Sequence, residues 1–83
     1  MELDDINIEE KQIEEWKEKV KVGTCDVMDI QDGSDFLRVT VCRPSETQMD
    51  IRMVEFEEDG KTVYDERRFR WREGVPLEEV GDD

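Results

Sequence analysis

The spacing of apolar residues changes at Gly23 from helical to alternating, and that change divides the chain. Ahead of it, Ile6, Ile13, Trp16 and Val20 fall seven, three and four residues apart, which sets them on one stripe of a helix. Asn7 and Glu10 have the Asn-x-x-Glu spacing of a reciprocal cap, so a helix is predicted over 7–22. Asp4, Asp5, Glu9 and Glu10 crowd its beginning and Lys17, Lys19 and Lys21 its end, the arrangement that a helix dipole favours. Glu15 and Lys19 add an i,i+4 pair, and Gly23 supplies a left-handed stop. Residues 1–6 read as an acidic lead-in.

Beyond Gly23, apolar and polar residues alternate over 24–30, 36–43, 48–57 and 62–72, which predicts four strands. Asp32-Gly33 and Asp59-Gly60 each place a glycine where a hairpin needs positive φ. Residues 43–47 read as a looser link, because Pro44 cannot donate to a ladder. Residues 73–83, with Gly74, Pro76 and an acidic end, read as an irregular tail. The expected fold is a single α+β domain spanning 1–83. One N-terminal helix packs on a four-stranded antiparallel meander, in the order α-β-β-β-β.

One helix covers only one face of such a sheet. Strand parity gives that face Met28, Ile30, Leu37, Val39, Val41, Met49, Ile51, Met53, Phe69 and Trp71, beside Ile13, Trp16 and Val20. The other face receives Asp50, Arg52, Glu66, Arg68, Arg70 and Arg72, with Val54, Phe56 and Tyr64 near the Asp59-Gly60 turn. An apolar cluster beside a charged field has the anatomy of a binding surface. A bulge near Met53 and Val54 would instead switch the phase and turn Phe56 inward.

Twenty-five Asp and Glu stand against twelve Lys and Arg with no histidine, a formal charge of −13. A charged fraction of 45% against 35% hydrophobic leans towards disorder by itself, and the periodic pattern overrides that. Acid-rich, lysine-poor composition also suits a cytoplasmic protein of a salt-loving organism. There is no apolar run of about twenty residues and no signal-like start, so a soluble cytoplasmic protein is expected. Cys25 and Cys42 are too few for a disulfide scaffold and are expected as buried thiols within strands.

Without histidine no Ser-His or Cys-His pair can form, and no pair of carboxylates is singled out, so no enzyme is expected. Two cysteines without histidine make no zinc set. Glu55, Glu57, Asp59, Gly60 and Glu66 have calcium-loop spacing but lack the flanking helices that such a loop requires. No metal or cofactor is expected.

Arg67-Arg68-Phe69-Arg70-Trp71-Arg72 interleaves base and ring as a single-stranded nucleic-acid binder would. Parity sends Arg68, Arg70 and Arg72 to one face and both rings to the other, where the arginines meet Asp50, Glu66 or Glu73. With the net charge opposed as well, direct nucleic-acid binding ranks third among the readings. Acid clusters remain at Asp4-Asp5, Glu9-Glu10, Glu14-Glu15-Glu18 and Asp82-Asp83, and on the two hairpins: Asp26, Asp29, Asp32 and Asp35, then Glu55, Glu57, Glu58 and Asp59. Carboxylates at fixed positions can imitate a row of phosphates, and with Phe56 and Tyr64 as apolar anchors those of the two hairpins are the candidate partner-binding residues.

The expected function is therefore an acidic inhibitor that occludes a basic nucleic-acid-binding surface. A nuclease, a restriction system, a toxin or a nucleic-acid-guided defence complex would suit as partner, which means phage counter-defence, anti-CRISPR or immunity/antitoxin action. In size and charge the chain resembles small acidic inhibitors made by phages or paired with toxins, a likeness of composition that covers no motif. The alternative is a non-catalytic adaptor or accessory subunit with incidental charge. Neither direct nucleic-acid contact nor a membrane is expected.

Overall fold

The period change after Gly23 is the boundary between a helix and a sheet. The computed structural model describes residues 7–33 and 35–81, with Asp32 and Asp35 described through their backbone alone. Helix α1 (Glu10–Lys19) precedes strands β1 (Cys25–Asp32), β2 (Asp35–Ser45), β3 (Gln48–Phe56), β4 (Val63–Arg72) and β5 (Val75–Glu79). The strands form one antiparallel sheet in chain order. The class is α+β, with five strands rather than four.

The fifth strand comes from the stretch expected to be irregular. Gly74 turns the chain at φ 78°, and Val75–Glu79 pairs back on β4. Pro76 is tolerated because β5 is the outer strand, where a missing N–H need not break a ladder. Leu77 packs against the core, while Arg67 and Arg72 hold Glu79 and Glu78 at 2.9 and 2.7 Å. Alternation over five residues broken by proline is too short a signal to read as a strand.

The helix is shorter than the spacing suggests. Glu9, not Asn7, stands at the cap position, and no side chain caps it. The amides of Gln12 and Ile13 donate to the Glu9 carbonyl instead. Ile8 packs against the core, so the chain arrives extended at Glu9 and leaves Asn7 outside the helix. Ile6 lies outside the described residues. At the other end Val20 is already extended and buried, and the helix stops at Lys19.

A residue from β2 closes that end. Arg43 Nη1 donates to the carbonyls of Lys17 (2.6 Å) and Val20 (3.3 Å), and Nη2 to Glu46 (3.2 Å). Carbonyls of a last helical turn have no partner within the helix, so the guanidinium ties the helix end to the sheet. Arg43→Ala is expected to lower stability by about 1.5–3 kcal/mol, and Arg43→Lys to recover only part because it lacks the planar fork. Urea unfolding measures both. An unchanged midpoint would mean that water caps the helix equally well.

Parity sorted most of the core. Ile13, Trp16 and Val20 meet Leu37, Val39, Val41, Met49, Ile51, Met53 and Phe69, with Met28 and Trp71 partly buried at the margin. Ile30, on the same side, remains 43% exposed. Between β2 and β3 the expected loose link is mostly strand. β2 continues to Ser45, and Arg43 with Pro44 bulges opposite Met49. A bulge leaves a position unpaired, which is where proline fits.

Cys25 and Cys42 are joined in a disulfide, not kept as thiols, and Cys25 is exposed. They are register partners across β1 and β2, with Cα atoms 4.0 Å apart. Arg43 N donates to Thr24 O (3.0 Å), which makes the next pair along a non-hydrogen-bonded one, where side chains come closest. Among the described residues no helix is long and apolar enough to cross a membrane.

Candidate functional site

Both hairpin tips lie at one end of the sheet. β1 turns into β2 at Gly33, β3 turns towards β4 after Phe56, and Phe36 stands opposite Phe56 in the register. The turn glycines are at φ 64° (Gly33) and 71° (Gly60). Asp32 and Asp35, which close the first hairpin, are thereby brought near Glu57, Glu58 and Asp59 at the second. The side chains of Asp32 and Asp35 are outside the described ones.

The second tip is a wider loop than a two-residue Asp-Gly turn. Glu57 N donates to Thr62 O (2.8 Å) and Gly60 N to Glu57 O (2.9 Å). Inside it the Asp59 carboxylate accepts from Lys61 N (2.8 Å), Thr62 N (2.8 Å) and Thr62 Oγ1 (2.6 Å). The Thr62 hydroxyl, then the Thr62 and Lys61 amides, hold the Asp59 carboxyl below the usual carboxylate range. Its charge therefore persists into acid. Glu57 and Glu58 are exposed and have no ion-pair partner among the described residues.

Phe56 keeps its outward phase. The register shift lies between Glu55 and Phe56, which face Asp65 and Val63, so Tyr64 is the extra residue on β4. Phe56 is half-buried, and its ring meets Phe36 edge-on at 5.9 Å. The Arg38 guanidinium lies 5.5 Å from the same ring and bonds Asp29 at 2.8 Å. The hydrogen bond to Asp29, and then its charge, raises the Arg38 pKa. Tyr64 is 59% and Val63 51% exposed beside this pair.

Three expected members stand elsewhere. Val54 is buried, flanked in the register by Arg38 and Glu66, so it is not part of an exposed cluster. Glu55 is buried on the helix-facing side between Leu37 and Asp65, and it presents no carboxylate to a partner in this conformation. Asp26 lies on that side too, 3.8 Å from Lys19. Phe36 and Val63 join the site without having been expected there. Phe36 follows from the register of β2 on β3, which depends on the bulge at Pro44.

All seven arginines are engaged within the chain. Glu66 sits between Arg52 and Arg68 (2.7 Å each), and Arg70 meets Asp50 at 3.1 Å. Arg72 takes Glu78 rather than Glu73, because β5 brings Glu78 alongside. Arg67 holds Glu79, Arg38 holds Asp29, and Arg43 holds the helix end. The Arg52 hydrogen bond lowers the Glu66 pKa, and the Arg67 hydrogen bond that of Glu79. Phe69 is in the core and Trp71 half-buried, with Lys17 5.0 Å from the Trp71 ring. Among the described residues no three His, Cys, Asp or Glu side chains are placed to hold a metal ion.

Compared with models of known protein families, with curated proteins and with solved structures, the chain matches none.

Proposed function

We propose that the protein binds a basic, nucleic-acid-binding surface of a partner protein and occludes it. One observation carries this reading. The arginines are spent on internal pairs, while Glu57, Glu58 and Asp59 stand exposed at one hairpin tip beside Phe36, Phe56 and Tyr64, and the register brings the backbone of Asp32 and Asp35 to the same end. Cations tied to neighbouring carboxylates have little left for phosphate, which weighs against the strand 67–72 as a nucleic-acid grip. Exposed carboxylates with a ring between them can occupy phosphate positions on the partner, and the rings fill its apolar pockets.

A nuclease, a toxin, a restriction system or a nucleic-acid-guided defence complex fits as partner, with the protein acting in the cytoplasm as an inhibitor of counter-defence or antitoxin type. In that compartment the Cys25–Cys42 bond meets a reducing environment, so the ladder of β1 and β2 must hold the hairpin without it.

Joint substitution of Glu57→Gln, Glu58→Gln and Asp59→Asn tests the site on a partner captured at low salt. Association is expected to slow by about tenfold, with little change in dissociation and an intact fold, because these charges steer encounter. Tyr64→Ala should instead speed dissociation. An association rate indifferent to salt and to the triple substitution would contradict the electrostatic site.

A further inference from the structure

β1 is the open side of the sheet. Among the described residues it pairs with β2 alone, and it runs for eight residues without proline. The opposite side, β5, is five residues long and carries Pro76, so it is a poor template for another strand. The hydrogen-bonded position at Thr24 and Arg43 fixes which groups of β1 look outward. By the alternation of an antiparallel ladder these are the N–H and C=O of Cys25, Val27, Asp29 and Gln31.

Two apolar side chains along this edge are also open. Val27 is 54% and Ile30 43% exposed. On the helix side, a groove of about 130 Å³ lies between α1 and β1, lined by Trp16, Met28, Ile30 and Leu37. That is close to the roughly 150 Å³ that holds a benzene ring, which is room for one apolar side chain.

We propose that the β1 edge accepts a β-strand from the basic partner, with one apolar side chain of that strand seated in the groove beneath α1. The inference rests on the reading of a basic partner given above. Charge selects the occupant. β1 carries three aspartates and neither lysine nor arginine. A second copy would set aspartate against aspartate, and −13 against −13, which keeps such edges apart. A strand bearing lysine or arginine turns the same positions into opposite-charge cross-strand pairs. Asp26, whose one ion pair among the described residues is to Lys19 at 3.8 Å, keeps an accessible carboxylate for such a pair. Backbone bonds then give affinity, and the groove gives side-chain selectivity.

The probe is a short capped peptide alternating lysine with valine or leucine, tested beside the same peptide N-methylated on its pairing edge. Its glutamate counterpart is the charge control. Binding at low salt is expected to slow amide exchange at Val27 and Asp29, and N-methylation to weaken it by about tenfold or more. Val27→Pro removes an outward N–H and no bond to β2, so it should keep the fold and lose the peptide. Equal binding of the plain and methylated peptides, with β1 amides unprotected, would overturn strand addition and leave the basic-partner reading standing. Failure of the lysine peptide to bind at all, or tighter binding of the glutamate peptide, would bring down that reading and this one with it.

Discussion

Trp16→Ala is expected to destabilise the fold by about 3–5 kcal/mol, the cost of deleting a buried aromatic ring and leaving a void. Trp16 is 4% exposed on the only helix among the described residues. With Ile13 and Val20 it joins that helix to β2 and β3. Small proteins have about 5–15 kcal/mol of net stability, so this one change approaches the whole margin. Trp71 is half-buried with Lys17 against its ring, and Trp71→Ala should cost clearly less. Urea unfolding by circular dichroism separates the two. A small loss at Trp16, or an equal loss at both, would mean that α1 does not pack as described.

Opening the Cys25–Cys42 bond is expected to have the second largest effect, about 2–4 kcal/mol. The cysteines are 17 residues apart, and closing a loop of roughly 15 residues limits the unfolded chain by about 3 kcal/mol in the chain-entropy model. Cys25 is exposed, so a reductant reaches the bond. The β1–β2 register spans eight residue pairs and should persist, which predicts a lower unfolding midpoint with an unchanged native circular dichroism spectrum. Cys25→Ala with Cys42→Ala should reproduce the result. A stability equal in oxidised and reduced protein would mean that the hairpin already confines the unfolded chain.

How much of this was legible in the sequence depended on the range of each signal. Period-two alternation over seven or more residues placed four strands and sorted Leu37, Val39, Val41, Met49, Ile51, Met53 and Phe69 to the helix side. Local signals misled where a tertiary contact outweighed them. The Asn7 cap yields to Ile8 packing on the core, and Val75–Glu79 of the expected tail becomes strand because Leu77 packs on the core and Glu78 and Glu79 find partners on β4. Arg43 gave no sign of its role, since its partners on the helix lie 26 and 23 residues away.

The acid clusters were visible one by one in the sequence. Their convergence was not, because it rests on the register of Phe36 with Phe56, set by the bulge at Pro44. The same shortfall hid the disulfide. Two cysteines in alternating segments read as core residues until the Gly33 turn sets them opposite one another.

Occlusion of a basic surface is tested by competition for the partner's nucleic-acid site. A partner is captured from lysate at about 0.05 M salt and released at about 0.5 M, where screening weakens exposed charge contacts. Fluorescently labelled DNA or RNA is then bound to that partner and titrated with the protein. The nucleic acid is expected to be released as the complex forms, and markedly less with the triple substitution at Glu57, Glu58 and Asp59. A partner that is saturated with the protein yet binds nucleic acid unchanged would contradict occlusion.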